Sequence, residues 1–257
     1  MASSWPQLRD EAIEIVTGAD EIGVTLRVVG SAGIRLHCAP PDAQMERLGR
    51  RAKDIDFVVL KEDRKKMRRF LEARGYVADR DLLVAMEGAR YSFAQPQTQI
   101  ELDVFVEKLQ FNHTIEVRDR LRQHRTTLPL EELLLAKLQI VSPTTTDLLD
   151  VSVLLATHPV VPAPSSDEEI DADRIASLLA RDWGFHHTVV ANLTRIRQSL
   201  GEVVDLGAEL HDTVHQRVDA LAQAVQDKPK TMGWRVRARV GERVQWWEDV
   251  NEREEAY

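Results

Sequence analysis

The segment Asp54-Ile-Asp-Phe-Val-Val59 constrains the fold of this 257-residue chain more than any other. Alternate residues of a strand share a face, so Asp54 and Asp56 point one way while Ile55 and Phe57 enter a core. A second run, Gln99-Ile-Glu-Leu-Asp-Val-Phe-Val106, repeats the pattern. Ile100, Leu102, Val104 and Val106 take one side, and Glu101, Asp103 and Phe105 the other. A third run, Leu26-Arg-Val-Val29, breaks into Gly30-Ser31, as a strand does where it turns into a helix. Strands of this kind need a partner layer on their apolar face only.

That layer is legible as helices. Trp5, Leu8, Ala12, Ile15 and Val16 form a stripe over Trp5–Val16. A short helix is expected from Ser31 to His37, stopped by Ala39-Pro-Pro41, with a charged connector leading to a strand at Ile55–Leu60. Glu62–Arg74 reads as a helix closed by Gly75. A short apolar piece at Leu82–Met86 precedes a strand at Arg90–Phe93, and Gln95-Pro-Gln-Thr98 turns into the strand Gln99–Val106. This order predicts an α/β (α+β) arrangement, a small mixed sheet with helices packed on it.

Beyond Thr127 the pattern becomes helical, with Leu130–Val141, Thr145–Thr157, Asp167–Ala180, Thr188–Leu200, Leu210–Val225 and Trp234–Val250 as expected helices. The Pro- and Ser-rich stretch His158–Ser166 reads as a linker. We therefore expect an α/β domain over 1–127, a helical extension over 128–158 that contributes to the site, and a helical C-terminal region over 159–257.

Bulk properties narrow the class. Hydrophobic content of 43% with 30% charged residues is that of a soluble globular protein. No apolar run approaches the roughly 20 residues that span a bilayer, so no membrane partner is expected. Met-Ala-Ser-Ser-Trp-Pro lacks the basic and apolar regions of a signal peptide. The single cysteine, Cys38, excludes an intrachain disulfide and a thiolate zinc site, and points to a reducing cytoplasm. The net charge of −8 argues against a surface wholly given to nucleic acid. The charge is uneven: residues 1–158 hold 22 basic and 24 acidic side chains, and 159–257 hold 12 and 18. Basic clusters at Arg47/Arg50/Arg51/Lys53, Lys61–Arg69 and Arg118–Arg125 leave room for a local anion-binding surface.

The chemistry rests on the acids. Two carboxylates on one strand face near a glycine turn form a candidate site for Mg²⁺ (or Mn²⁺) and a nucleoside triphosphate. Phosphoryl chemistry on such a triphosphate needs carboxylates to hold metal, and three acids suffice. Asp54 and Asp56 supply two; Asp103, on a neighbouring strand, is the candidate third ligand and general base, with Glu101 as the alternative on the same face. Asp54 and Asp56 can also be read as the solvated edge of a surface strand. Gly30-Ser31 can be an ordinary helix cap or a phosphate-binding turn, and the two are compatible. Arg35 and His37 follow on the short helix. Arg35 is a supporting candidate, whereas His37 reads as a structural hydrogen-bonder. His186 and His187 fall on an expected surface helix, and the five tryptophans read as packing residues.

Gly30-Ser31, Asp54-Ile-Asp56 and Asp103 together resemble the nucleotidyltransferase superfamily, with its DNA polymerase β-like fold. Leu128-Pro-Leu-Glu-Glu-Leu-Leu-Leu-Ala-Lys-Leu-Gln139, followed by Thr146-Asp-Leu-Leu-Asp150, is similar to the AbiEii-like toxin branch and its uncharacterised relatives. The likeness covers about residues 20–158. It implies a metal-dependent enzyme that transfers a nucleoside monophosphate from Mg-NTP to RNA, protein or a small molecule. It implies that Gly30 and Ser31 hold the β- and γ-phosphates and that Lys137 reaches the triphosphate. Read from its neighbours alone, Lys137 would snorkel from an apolar helix to solvent. Asp150 is expected to orient Lys137 or another site group, and Asp147 to be an exposed early-turn acid. An antitoxin-type protein is a further implied partner. The rival expectation is a non-catalytic nucleotide-binding or toxin–antitoxin interaction protein that kept the fold. Two departures from the family pattern stand out. The 22 residues between Ser31 and Asp54 exceed the usual spacing, and Thr146 replaces the basic residue that normally precedes the first Asp of the Asp-x-x-Asp helix.

Overall fold

A computed structural model describes residues 4–38, 54–201, 204 and 206–249. The basic connector with Arg47, Arg50, Arg51 and Lys53, and Val250, lie outside the described residues. The chain forms two compact units. The first comprises residues 1–109 and 116–129; the second comprises 110–115 and 130–257.

The first unit is built on a five-stranded mixed sheet. In chain order its elements are α1 (Trp5–Glu21), β1 (Leu26–Val29), α2 (Gly30–His37), β2 (Asp54–Val59), α3 (Arg64–Ala73), β3 (Val77–Ala78), α4 (Arg80–Ala85), β4 (Arg90–Ala94) and β5 (Glu101–Val106). The sheet order is β1-β2-β5-β4-β3, with β2 and β5 parallel and the other pairs antiparallel. The expected alternation holds. Leu26, Val28, Ile55, Phe57, Val59, Leu102, Val104, Tyr91 and Phe93 enter one core, where they meet Trp5, Leu8, Ala12, Ile15, Val16 and Ala19 of α1 and Met67 and Leu71 of α3. This burial is the main stabilising term of the unit, since each fully buried aliphatic or aromatic side chain contributes about 1.5–3 kcal/mol.

Both edges of the sheet are protected. Backbone bonds from Val28 N–H to Thr126 O (2.9 Å) and from Leu128 N–H to Val28 O (3.2 Å) lay the segment 126–128 along β1. The opposite edge, β3, is only two residues long, and short or covered edges resist strand-to-strand association.

The second unit is mainly helical: α5 (Leu130–Leu138), α6 (Thr145–Thr157), α7 (Ala172–Leu179), α8 (Trp183–Ser199), α9 (Ala208–Asp227) and α10 (Met232–Val240). α5 is buried on nearly every face, including Glu131 and Glu132. Glu132 is tied to Arg174 Nε of α7 at 3.0 Å. Helix ends leave carbonyls unpaired, and long side chains serve them here. Asn192 Nδ2 donates to Leu138 O (2.9 Å) and Ile140 O (2.7 Å), and Arg217 donates to Leu155 O (2.6 Å).

Several boundaries differ from the sequence expectation. The acidic run Asp167–Glu169 does not open a helix. Glu169 instead accepts the N–H groups of Ser165 and Ser166, and Ile170–Asp171 pairs in parallel with Val160–Val161 of the expected linker. α7 then starts at Ala172, because Asp171 accepts the Arg174 N–H at its N-terminus (2.8 Å). Side chains that bond their own backbone compete with helix in this way. α8 begins five residues earlier than expected, since Asp182 caps it through the Phe185 N–H. α10 ends at Gly241, whose φ of 60° breaks the helix. The apolar piece near Leu82 is the short helix α4, capped by Asp79. No described helix is long and apolar enough to cross a membrane.

His113 and His186, both in the second unit, make its stability depend on pH. His113 stacks on Phe185 (ring centres 5.0 Å apart), lies 2.8 Å from Thr188 Oγ1, and burial pushes its imidazole down to about 4. His186, edge-on to Trp234, is likewise pushed down to about 4 by burial, so it is less of a surface residue than its sequence context implied. Between pH 6.5 and 4 the unfolded chain takes up protons that these folded histidines refuse. Stability is therefore full above pH 6.5 and falls as the pH drops toward 4. Unfolding free energies from urea titrations at pH 7.5 and 5.0 should differ by an amount that includes about 2 kcal/mol from His113. The His113→Gln variant should show a shallower dependence; an unchanged slope would count against His113 as a source.

Candidate functional site

The polar face of the sheet carries the acids. Parallel pairing sets Asp54 opposite Glu101 and Asp56 opposite Asp103, while antiparallel pairing sets Ser92 opposite Asp103 and Val29 opposite Asp56. One row across four strands therefore reads Val29, Asp56, Asp103, Ser92. One carboxylate oxygen each from Asp54, Asp56 and Asp103 lie within 4.8 Å of one another, and all three residues are half-buried. Glu101 stands on the same face but is exposed.

Strand β1 ends beside this cluster and turns straight into α2. Gly30 is the first residue of α2 and has φ 62°, a left-handed conformation that favours glycine. A Cβ at this position would collide with the Asp56 carboxylate, and would lie 3.0 Å from its Cγ. The backbone of the turn thus approaches Asp56 as closely as a glycine allows. The helix begins one residue earlier than expected, and its N-cap is Val29, without a side-chain capping bond. Ser31 is accordingly a residue of the first turn, next to the helix's N-terminal N–H groups.

The other sequence candidates sit as follows. Arg35 is buried, with its guanidinium 4.1 Å from the centre of the Trp5 ring. His37 bonds Thr127 Oγ1 at 2.6 Å, the structural role expected of it. In the second unit, Lys137 Nζ lies 2.8 Å from Asp147 and 3.2 Å from Asp150, and Asp150 is fully buried. Asp147 is therefore not a free early-turn acid. Burial alone would push its carboxyl up, but the Lys137 ammonium and the bonds from Thr144 outweigh that and hold it below the usual range.

Arg90 escaped the reading of the sequence. Its Nη2 lies 3.0 Å from Asp103 Oδ2 and its guanidinium 5.0 Å from the Phe105 ring. The signal was present: in β4, Arg90 and Ser92 alternate with buried Tyr91 and Phe93, so they share the face of the acids. What a single strand does not reveal is its neighbour.

The donor set suits a hard divalent cation. Three carboxylates and no sulfur or imidazole favour Mg²⁺ or Mn²⁺ over softer metals, and only the missing side chain of Gly30 lets the turn pack this closely on the Asp56 carboxylate.

No protein-family model matches the sequence, and no curated protein matches it. A solved structure to which the chain is similar is an antigenic nucleotidyltransferase-like protein from Paracoccidioides brasiliensis. It is 13% identical, with a TM-score of 0.44 over 89% of this chain and 96% of that one.

The close approach of Gly30 to Asp56 can be tested directly. Gly30→Ala meets both the positive φ and the carboxylate, so it should cost about 1–3 kcal/mol of stability. Asp56→Asn in the same background should recover little, because the backbone strain persists. A Gly30→Ala protein that melts like wild type would show that the turn has room the geometry denies it.

Proposed function

We propose that this protein is a metal-dependent nucleotidyltransferase, and that Asp54, Asp56 and Asp103 are its metal ligands. The observation that carries the reading is the convergence of three carboxylates within 4.8 Å beside a glycine turn that opens a helix. Carboxylates packed this closely repel one another, and a bound divalent cation would relieve that repulsion.

In this reading the residues divide the work. Asp54, Asp56 and Asp103 would hold Mg²⁺, which supplies charge neutralisation at the phosphoryl oxygens when bound. Gly30, Ser31 and the first N–H groups of α2 would take the β- and γ-phosphates, since a helix N-terminus offers unpaired donors and a favourable dipole. Asp103 would accept the proton of the attacking hydroxyl as the α-phosphate bond to pyrophosphate breaks. The chain's own task is then positioning and electrostatic support. Lys137, held by Asp147 and Asp150, would add a charge-assisted contact to the triphosphate, with Asp150 as its orienting group. The acceptor is a hydroxyl or phosphate on RNA, protein or a small molecule. The AbiEii-like kinship and a toxin-type role with a neutralising partner belong to the same proposal.

Two measurements test it. Mn²⁺ or Mg²⁺ with NTP should raise the melting temperature of the wild type. Asp56→Asn should abolish most of that rise without lowering the metal-free melting temperature, because the substitution relieves like-charge repulsion. Equal ligand-induced shifts in both proteins would overturn the metal assignment. Lys137→Ala should weaken nucleotide binding roughly tenfold to a hundredfold, the loss of one charge-assisted bond of about 1.5–3 kcal/mol. Calorimetry showing an unchanged Kd would remove Lys137 from the site. Incubation with each α-labelled NTP, Mg²⁺ and total cellular RNA would then identify donor and acceptor through label transfer.

A further inference from the structure

Arg90 has no part in the chemistry above, yet it crosses the acid face instead of reaching into solvent. Its side chain is 16% exposed and that of Asp103 19%, with 3.0 Å between Nη2 and Oδ2. Two of its contacts bear on the acid site. Phe105, directly opposite Arg90 in the antiparallel register, supports the guanidinium from 5.0 Å, and Asp103 anchors its tip. An arginine over an aromatic face is attracted to the ring and loses little freedom there. The partner it reaches is one of the three carboxylates whose oxygens cluster within 4.8 Å.

A positive charge at that place has two consequences. It offsets part of the repulsion among the acids, so the cluster can exist without a metal. It also opposes any divalent cation attracted by the same acids, and it competes for the same carboxylate. Guanidinium groups suit phosphate as well as carboxylate, through the same planar fork of donors.

We propose that Arg90 is the resident counter-ion of the acid site: it holds Asp103 in the metal-free protein and turns to the phosphates of the nucleotide once a divalent cation engages Asp103. This rests on the metal–nucleotide reading of the site. Arg90 is then a positioning residue for Asp103 in one state and a phosphate contact in the other. Binding of cation and nucleotide becomes mutually reinforcing, because each releases or captures the same side chain.

The test is Mn²⁺ binding, followed by the electron paramagnetic resonance of the free ion, with and without a non-hydrolysable NTP analogue. It compares wild type, Arg90→Gln and Arg90→Lys. Arg90→Gln should bind Mn²⁺ alone about tenfold more tightly than wild type, since a like charge is gone. At saturating Mn²⁺ it should bind the analogue about tenfold more weakly. Arg90→Lys, which keeps the charge but not the fork, should match wild type for Mn²⁺ and fall between the two for the analogue. A purely structural Arg90 would move both affinities in the same direction, and that result would overturn the proposal. Equal Mn²⁺ affinity in wild type and Arg90→Gln would overturn it as well. A wild type that binds no Mn²⁺ would instead bring down the metal reading and this inference together. Should Arg90→Gln fail to fold, the wild-type protein still answers. The Arg90 Nε–Hε resonance, assigned by its loss in Arg90→Lys, should shift as Mg²⁺ is added. A constant resonance through a titration in which Mg²⁺ binds would refute the exchange.

Discussion

The parallel pairing of β2 with β5 is the constraint on which the rest of the first unit depends. It alone sets Asp56 beside Asp103 and Asp54 beside Glu101. A shift of one residue would turn β5 over, placing Leu102 and Val104 on the polar face and Asp103 in the core. The register is secured from the apolar side, where Ile55, Phe57, Leu102 and Val104 are all fully buried. Hydrophobic burial thus holds together three carboxylates that would otherwise drive one another apart. The energy that assembles the candidate site comes from the opposite face of the same strands.

Charge is compensated locally in both units, by different means. In the first, Arg90 lies across the sheet face onto Asp103, backed by Phe105. In the second, Lys137 meets two carboxylates from α6, one of them fully buried. Removing one partner from such a buried arrangement costs far more than the arrangement gains over apolar packing. Lys137 could serve as a snorkelling lysine only if its ammonium reached open water, and the two aspartates hold it instead. Spaced three apart on one helix, Asp147 and Asp150 both come within reach of that ammonium.

Legibility in the sequence followed the range of the interactions. The alternation of Asp54–Val59 and of residues 101–106, the stripe of α1 and the turn at Gly30 were all visible, because each depends on neighbours within a few residues. The start of α8 at Trp183 and the unwinding of residues 167–169 were missed. There an aspartate or a serine–glutamate turn competed with hydrophobic periodicity for the same backbone groups. The strand pair Val160–Val161 and Ile170–Asp171 was hidden inside a proline-rich stretch that otherwise reads as linker. Arg90 was missed because its meaning lies in the strand beside it.

By itself, the sequence determined which face of each strand is apolar, that the chain is a mixed α/β protein with a helical C-terminal half, and that acids share a face near a glycine turn. Those properties follow from the two-residue period of a strand and the 3.6-residue period of a helix. Only the tertiary structure decided that Asp103 rather than Glu101 joins Asp54 and Asp56, that Arg90 neutralises it, and that Lys137 is held by two aspartates. Glu101 and Asp103 are equivalent in pattern, two residues apart on one face, and no local rule separates them. Strand register and the packing of distant segments choose between them, since both act over distances that no local pattern encodes.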